Sequence, residues 1–230
     1  ILEEKYNPQP CVHGFVKRKN IYTNASKHIN KRYVLNLDIK NFFSSINIIN
    51  IKTLFKDISD GDLWAEIATL KNKLPQGASC SPIIANMILD PIDTKIEKVC
   101  RANSIMYTRY ADDLTFSSDS LSKTSLTWIP KYLETLLSTL NLQLNSRKTK
   151  LMPWYQRQVV TGIVVNKGTT IAKKQIKEKS IELYNLGCQG LSLDDSQLGY
   201  IEYIKSITEK RADKLIKAYK KGIEQFKETN

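Results

Sequence analysis

Two adjacent aspartates between two strand-like runs are the feature that most constrains this chain. Residues 104–110 and 114–117 are the two runs, and Ala111, Asp112 and Asp113 separate them. The pattern predicts a β-hairpin with two acids at its tip. Because aspartate is a favoured turn residue, an isolated Asp-Asp pair is more often structural than functional. Here, however, the flanking strands are rich in Tyr, Thr and Phe and would be well buried, so two carboxylates without a cation would repel each other.

A third acid closes another strand-like run. Residues 33–39 alternate apolar side chains, and Asp38 follows Tyr-Val-Leu-Asn-Leu in that run. If this strand lies beside the hairpin, Asp38, Asp112 and Asp113 converge. Three carboxylates suit two hard divalent cations about 3.5–4 Å apart, with oxygen ligands of the kind that Mg²⁺ prefers. We therefore predict that these three aspartates bind metal and that the cofactor is two Mg²⁺ ions, with Mn²⁺ as an alternative.

Helical patterns surround these strands. Ser81-Pro82 predicts a helix start with Ser81 as its cap, and Pro91 lies inside the pattern, where we expect a kink or a break. A second amphipathic helix is expected around Leu126 to Leu140, with Pro130 as a local irregularity. Residues 159–165 read as one strand.

The pattern becomes wholly helical from Lys173 onward, and the change near Lys167-Gly168 is the candidate domain boundary. Mixed strands and helices followed by a helical end predict an α+β fold.

Charge and cysteine content narrow the class further. The 230 residues carry a formal net charge of +12 with a pI of about 9.4, which favours a polyanionic partner, although a merely lysine-rich soluble protein remains an alternative. The four cysteines are widely scattered and only two histidines exist, so we expect free thiols in a reducing cytosol rather than a zinc site. No apolar run approaches the roughly 18 residues that span a bilayer, and we expect no membrane partner. The chain begins with Ile1, without a signal peptide, and we expect a fragment or processed form.

Four motifs, at residues 37–43, 74–79, 110–113 and 145–149, follow one another along the chain, and in this order they resemble those of the reverse transcriptases. Leu-Asp-Ile-Lys-Asn-Phe-Phe at 37–43 looks like the first palm motif, and Leu-Pro-Gln-Gly-Ala-Ser at 74–79, with Ser81-Pro82 and Asn86, looks like the second. Tyr-Ala-Asp-Asp at 110–113 is the signature hairpin, and Asn-Ser-Arg-Lys-Thr at 145–149 looks like the basic motif that follows. Any one motif could arise by chance, but all four in order are hard to explain that way.

The resemblance implies the right-hand architecture of a polymerase. Residues 1–32 would be the last part of the fingers region, residues 33–166 the palm, an antiparallel sheet with packed helices that carries the catalytic acids, and residues 167–230 an all-helical thumb. The basic residues between Lys210 and Lys221 would grip the product duplex through its phosphates, although a solvated helix face is an equal alternative.

The resemblance also implies a role for each matched residue. Asp38 and Asp112 would be the metal ligands, with Asp113 as the supporting third acid. Lys148 would lie near the triphosphate and could donate a proton to the leaving pyrophosphate, a role worth about 10²–10⁴-fold in rate. The alternative is one more solvated lysine.

Three further residues would contact the incoming nucleotide. Phe42 would be the steric gate that excludes a ribose 2′-hydroxyl, unless it is only a core aromatic behind the strand. Gln76 would contact the sugar and Gly77 would leave room for nucleotide and template, unless the Pro-Gln-Gly segment is a simple turn.

Two short elements resemble the retron subfamily. Asn-Ala-Ser-Lys-His at 24–28 resembles its Asn-Ala-x-x-His element, and Val-Thr-Gly at 160–162 resembles its Val-Thr-Gly triplet. Their alternatives are a helix start and an ordinary strand with a glycine kink. The retron resemblance implies a cytoplasmic bacterial enzyme that uses its own structured noncoding RNA as template and primer. It would make branched RNA–DNA from deoxynucleotides, in anti-phage defence, with an accessory effector protein.

Three other interpretations stay open. The first is another bacterial reverse transcriptase, of the group II intron or abortive-infection kind. The second is a nucleic-acid-binding scaffold without polymerase activity, although all three acids are present. The third is an RNA-dependent RNA polymerase, which would prefer glycine before the acid pair and a small residue in place of Phe42.

Overall fold

A four-stranded antiparallel sheet lies at the centre of the computed structural model, which describes residues 2, 6–120 and 124–229. The strand order is β2-β3-β1-β4, and β1 pairs with both β3 and β4. Helices pack against this sheet, so the predicted α+β fold is confirmed. The strands are β1 (Tyr33–Asp38), β2 (Met106–Tyr110), β3 (Asp113–Ser118) and β4 (Lys150–Pro153).

Strand alternation gives the two faces of the sheet different tasks. Leu35 and Leu37 of β1 join the larger core, whereas Val34 joins a second, smaller core. Successive side chains of a strand point to opposite faces, so Asp38 shares the face of Val34 and Asn36. The face that carries Leu35 and Leu37 is covered by the long helix of residues 81–102 and the helices beside it. The helices of this region are α1 (Ile21–Ser26), α2 (Phe42–Ser45), α3 (Ile48–Phe55), α4 (Gly61–Ile67), α5 (Ser81–Ala102), α6 (Thr124–Thr127) and α7 (Ile129–Ser138).

Helix α5 corrects two expectations. Its first residue is Ser81, which is therefore not the cap; the Ser81 hydroxyl donates instead to the Pro75 carbonyl at 2.6 Å. Of the kink or break expected at Pro91, the break is wrong, because the helix continues through this residue. Pro91 is exposed, so the carbonyl that loses its partner can face water, while Ile88 and Ile92 hold the helix on the core from both sides.

The segment 159–165 is a hairpin and not one strand. Strands β5 (Val159–Val160) and β6 (Ile163–Val164) pair antiparallel, and Thr161 and Gly162 form the turn between them with φ of 44° and 85°. Both turn residues have left-handed backbone, which reverses the chain, and glycine adopts it without steric penalty. The sequence indicated a glycine kink within a strand, but Gly162 instead helps to reverse the direction of the chain.

Three helices complete the second core. They are α8 (Lys173–Cys188), α9 (Asp195–Ile207) and α10 (Glu209–Thr229), and they follow β7 (Thr170–Ile171), which pairs with β6. Since this pairing crosses the 167–168 boundary, the division into domains stays a prediction. Helices α8 and α10 approach closely at two glycines: a Cβ on Gly222 would lie 2.2 Å from the Tyr184 carbonyl oxygen, and one on Gly187 would lie 2.5 Å from that of Tyr219.

Candidate active site

The three predicted acids lie at one end of the central strand pair. Asp38 is the last residue of β1, Asp113 is the first residue of β3, and the two are opposite each other in the antiparallel register. Asp112 lies in the turn before β3, and its carbonyl accepts a hydrogen bond from the Ile39 amide at 3.0 Å. The antiparallel pairing thus brings Asp38 to the adjacent pair Asp112 and Asp113, which lies more than 70 positions later in the sequence, as the strand pattern predicts.

Asp38 is buried and fully engaged by the basic motif. Its side chain is about 6% exposed, the Lys148 ammonium contacts its Oδ2 at 2.6 Å, and the Asn145 amide group donates to its Oδ1 at 3.2 Å. The Asn145 backbone also donates to the Asp38 carbonyl at 2.8 Å. The basic motif therefore lies directly against the first acid, and Lys148 partly offsets the charge of the site.

The three carboxylates repel one another. Burial, the charge of Asp112 and the charge of Asp38 raise the pKa of Asp113 to about 6, although part of its side chain reaches solvent. Burial and the charge of Asp38 also raise the pKa of Asp112. The hydrogen bond and charge of Asp38 raise the pKa of Lys148. Burial is the largest cause of the shifts at Asp112 and Asp113, and the negative charge at the end of β1 and β3 contributes to all three shifts. A bound cation would relieve this excess of negative charge.

The carboxylate oxygens of the three aspartates are suitable ligands for hard divalent ions, but their arrangement in this structure does not form a metal site. Within residues 2, 6–120 and 124–229, no three His, Cys, Asp or Glu side chains form a group that could hold a metal ion as they stand. The Lys148 ammonium occupies one oxygen of Asp38. Oxygen ligands and mutual repulsion favour a cation such as Mg²⁺. Since Lys148 already offsets the charge of Asp38, a cation and Lys148 would compete for this carboxylate.

A buried ion pair underlies the turn that carries Asp112. Arg109 precedes Tyr110 on β2 and is fully buried, and its guanidinium binds Asp93 of α5 with contacts of 2.7–3.0 Å. Its Nη1 also donates to Asn86 Oδ1 at 2.9 Å and to the Ala111 carbonyl at 3.1 Å. Burial alone would lower the pKa of Arg109, but the charge and hydrogen bonds of Asp93 more than offset this and raise it. The turn is thus fastened to α5 through one side chain.

Sequence reasoning missed this ion pair, although a signal was present. Asp93 lies next to Ile92 and three positions before Ile96 on the apolar face of α5, and Arg109 lies within a strand-like run. An acid and a base at two buried positions of neighbouring elements predict a pair, because neither charge is stable alone in a core.

The two short elements that resemble the retron subfamily meet in space. The Asn24 side chain of α1 donates to the Thr161 hydroxyl at 3.5 Å, and this hydroxyl lies 3.4 Å from the Ile21 carbonyl. His28 is fully buried, and its two ring nitrogens contact the hydroxyls of Ser117 and Thr108 at 2.7 and 2.8 Å. Burial lowers the pKa of His28 to about 3, so its ring is neutral. The first element thus joins the β2–β3 hairpin to the 159–164 hairpin.

A cavity of about 300 Å³ separates the acids from that hairpin. Asp113 and Thr115 line one side, and Thr161 and Gly162 line the other. Asn36 lies between them; its Nδ2 donates to the Val159 carbonyl at 2.7 Å, and its Oδ1 has no hydrogen-bond partner among the described residues. The cavity therefore offers a polar acceptor beside a carboxylate.

The three predicted nucleotide contacts lie in different surroundings. Gln76 and Gly77 are exposed on the turn before α5, and Gly77 has a φ of 95° with open space beside it. Phe42 is only 4% exposed and belongs to the larger core, as the alternative interpretation held. Its neighbour Phe43 is half-buried and packs against the exposed ring of Phe15, with centroids 6.1 Å apart.

Comparison with protein families gives one match over most of the chain. A model described as "Reverse transcriptase (RNA-dependent DNA polymerase)" matches residues 6–183.

Three curated relatives are similar along nearly the whole chain. The retron Ec86 reverse transcriptase of Escherichia coli is 30% identical over 218 residues, covering 93% of this chain and 68% of the relative. The retron Mx65 enzyme of Myxococcus xanthus is 27% identical, covering 96% and 57%, and the retron Se72 enzyme of Salmonella heidelberg (strain 579083-10) is 29% identical, covering 88% and 61%. The chain thus spans about 57–68% of the length of these relatives.

Solved structures show the same fold at low identity. Telomerase from Candida albicans in complex with a TWJ fragment of telomeric RNA matches with a TM-score of 0.60 and 11% identity, over 99% of this chain and 47% of that one. Truncated apo telomerase from Candida tropicalis matches with a TM-score of 0.50 and 14% identity, over 64% and 36%.

Proposed function

Because the chain belongs to the reverse transcriptase family, and within it to the retron type, we propose that the full-length gene product is an RNA-directed DNA polymerase. The observation that carries the proposal is the convergence of Asp38, Asp112 and Asp113 at the end of an antiparallel strand pair, against Lys148. A scaffold would not need three mutually repelling carboxylates at one sheet end.

The three acids would hold the metal. Reverse transcriptases in general use divalent metal ions, and we propose two Mg²⁺ ions held by Asp38 and Asp112 with Asp113 in support. When bound, the ions would offset the charge on the primer hydroxyl and on the leaving pyrophosphate. The released Lys148 ammonium would then be free for the triphosphate, where it could donate a proton to the leaving group.

The surroundings of the acids suit a nucleic acid. The cavity beside Asp113 is open to a primer end, and exposed lysines of α10 would hold the phosphates of the product duplex. These exposed residues are Lys210, Lys214, Lys217, Lys220 and Lys221. We retain the proposal that residues 1–32, 33–166 and 167–230 are the end of the fingers, the palm and the thumb.

Either of two neighbouring aromatic rings, Phe42 or Phe43, could exclude the ribose 2′-hydroxyl of a ribonucleotide. Phe42 was the predicted gate, yet its burial favours a packing role, and half-buried Phe43 is the aromatic that a sugar could reach. We expect Phe42→Ala to destabilise the fold by about 3–5 kcal/mol through loss of core contacts. Phe43→Ala should instead leave the fold intact and raise ribonucleotide incorporation. If Phe42→Ala folds normally and relaxes sugar selection, Phe42 is the gate after all.

The retron type suggests the biological setting. The enzyme would act in the bacterial cytoplasm, use a structured noncoding RNA as template and primer, and join the DNA to an RNA 2′-hydroxyl. It would work with an accessory effector protein in anti-phage defence. The support for this setting is the similarity to retron enzymes of three bacterial genera.

One experiment tests the polymerase activity and the priming from an RNA 2′-hydroxyl together. The full-length gene product is expressed with its flanking locus, the bound nucleic acid is extracted after protease treatment, and Asp112→Asn serves as control. We expect DNA that remains joined to RNA, that loses a short RNA on debranching, and that disappears in the Asp112→Asn variant.

Each other outcome has a separate meaning. Unbranched DNA that requires Asp112 would keep the polymerase and reject retron priming. Bound RNA with no Asp112-dependent DNA would reject the polymerase and support a nucleic-acid-binding scaffold.

A further inference from the structure

Two large aromatic side chains are exposed side by side on the loop that follows β4. Trp154 is 59% exposed and Tyr155 is 71% exposed, and their rings are 6.0 Å apart at an angle of 84°. Adjacent exposed aromatics of this size often mark a binding surface, because their hydration is unfavourable. We call the surface formed by this loop and residues 30–32 the Trp-Tyr surface.

The Trp-Tyr surface lies at the opposite end of β1 from the catalytic acids. Tyr33 at the start of β1 is paired with Pro153, and the Trp154 amide donates to the Arg32 carbonyl at 2.8 Å. Asp38 is five residues further along the strand, which corresponds to roughly 17 Å. A ligand on this surface is therefore separate from the metal-binding end of the sheet.

The loop that carries the two rings is held in one conformation. The Asn166 side chain donates to the Trp154 carbonyl at 3.0 Å and to the Gln156 carbonyl at 2.7 Å. Gln158 is fully buried, and its Nε2 donates to the carbonyls of Lys31 and Met152, both at 3.0 Å. These bonds fix the loop before any ligand arrives, which reduces the entropy lost on binding.

Cations surround the rings. A cavity of about 360 Å³ is lined by Trp154, Arg32 and Lys167, with Asn30, Lys31, Asn166 and Asp119 completing its wall. Arg157, on the same loop, is also exposed. The acid in this wall, Asp119, already pairs with Lys31 at 2.5 Å. The charge left for a ligand is therefore positive.

A second exposed tryptophan, Trp64, lies in surroundings that do not suit a nucleic acid. Trp64 is 52% exposed, but it lines an apolar groove with Phe55, Ile58 and Ile67. Its helix neighbours Asp62 and Glu66 share one cation, Lys52, at 3.4 and 3.8 Å, so these three side chains keep a net negative charge, which would repel a phosphate. The two tryptophans thus differ in the charge around them and not in their exposure.

We propose that the Trp-Tyr surface binds unpaired nucleotides of single-stranded RNA. Bases would stack on Trp154 and Tyr155, while Arg32, Arg157 and Lys167 would contact the phosphates. Every base has a flat face that stacks on an aromatic ring, but only an unpaired base can be turned out to do so. The surface would hold a single-stranded part of the RNA partner away from the acids, and this binding does not depend on polymerase activity.

The test measures the affinity of the purified full-length protein for a short, unstructured, fluorescein-labelled RNA by anisotropy. We expect Trp154→Ala and Tyr155→Ala each to raise the Kd by roughly 5- to 150-fold, the range that corresponds to about 1–3 kcal/mol per stacked base. Trp154→Phe should retain much of the affinity, because phenylalanine also stacks. Arg157→Ala should weaken binding and reduce the salt dependence by about one counterion.

Matched controls show whether the loss of affinity comes from base stacking on these two rings. Trp64→Ala should leave the RNA affinity unchanged, and an abasic oligonucleotide should bind to the wild type as weakly as the RNA binds to the double variant Trp154→Ala, Tyr155→Ala. Polymerisation on a separately supplied primer–template should be unchanged in that double variant, so loss of RNA binding and failure of the polymerase proposal give different results.

Three results would overturn the proposal. The double variant could bind single-stranded RNA as tightly as wild type, or the abasic strand could bind as tightly as the RNA. The double substitution could also dissociate a self-associated wild type, which would make the surface a contact between copies.

Discussion

The β2–β3 hairpin and the three C-terminal helices are held in place by different kinds of contact. The hairpin is fastened by buried polar groups: Arg109 binds Asp93 and the turn carbonyl, and His28 bridges Thr108 and Ser117. The helices pack through apolar side chains and through close backbone contact at glycines. Hydrogen bonds and ion pairs between buried groups stabilise only a narrow range of geometries, because a buried polar group without its partner is unfavourable. Apolar contacts are not directional and depend mainly on the area removed from water. The region that must place carboxylates accurately is the one with directional contacts.

The largest expected effect comes from breaking the Arg109–Asp93 pair. Arg109→Met alone leaves Asp93 buried and unpaired, and we expect a loss of about 3–5 kcal/mol in the free energy of unfolding. The Tyr107 hydroxyl also donates to Asp93, at 2.7 Å, so the combined variant Arg109→Met, Asp93→Leu, Tyr107→Phe removes both charges and this donor together. It should regain a large part of that stability, although the buried Asn86 Oδ1 loses its Arg109 donor. Urea denaturation measures both.

The combined variant also separates stability from positioning. It leaves the Ala111 carbonyl without the Arg109 donor, so the turn that carries Asp112 is less restrained, and we expect kcat to fall roughly tenfold to a hundredfold. A stable combined variant with wild-type kcat would show that the pair only stabilises the fold.

The second prediction concerns His28 and acid. Its pKa is about 3 in the folded chain and about 6.5 when unfolded, so the unfolded state takes up the proton first. The stability from neutral His28 is complete above pH 6.5 and is lost as the pH falls towards 3. The stability gap between wild type and His28→Asn should therefore narrow by up to about 1.4 kcal/mol per pH unit between pH 6.5 and 4.5. A constant gap over this range would contradict the predicted shift.

The third prediction tests the contact between α8 and α10. Gly222→Ala places a Cβ against the Tyr184 carbonyl, so the helices must separate, and we expect a loss of about 1–3 kcal/mol. Gly199→Ala is the matched control: Gly199 lies in α9 with open space around it, and alanine there should stabilise by about 0.5–1 kcal/mol. Equal effects of the two substitutions in thermal denaturation would show that the close approach is not needed.

The smallest expected effect concerns a polar contact within the helical region. Asp194 caps α9 by accepting from the Gln197 amide at 2.8 Å, and the Gln197 side chain accepts from the Asp194 amide in return. Asp194→Ala should cost about 1 kcal/mol, and Asp194→Ser should restore most of it. Hydrogen exchange should show faster exchange only in α9, because this capping contact is local. The Arg109–Asp93 pair, by contrast, joins two separate elements.

The parts of the site that could be predicted depend on local pattern. Asp38 at a strand end and Asp112-Asp113 between two strands followed from alternation and turn chemistry, and their pairing is confirmed in the register of β1 and β3. The order of the motifs then indicated the family, which the comparisons confirm.

The parts that could not be predicted depend on contacts between distant segments. Asn24 and Thr161 were recognised separately, but 137 positions separate them, and nothing in either segment indicates the other. Residues 159–165 are all compatible with a strand, and only the left-handed backbone at Thr161 and Gly162 reverses the chain. Pro91 favoured a break, but tertiary packing outweighed local propensity.

Both edges of the central sheet are partly covered by the described part of the chain itself. The segment before Gly14 lies along the outer edge of β2. The backbone amide of Arg109 donates to the Cys11 carbonyl at 2.8 Å, and the Arg109 carbonyl accepts from the His13 amide at 2.7 Å. On the other side β4 is only four residues long and ends at Pro153, and the Gln158 side chain takes the Met152 carbonyl. Open edges recruit strands from other copies and lead to aggregation. Such short and partly covered edges make pairing with the strands of other copies less favourable, even at high protein concentration.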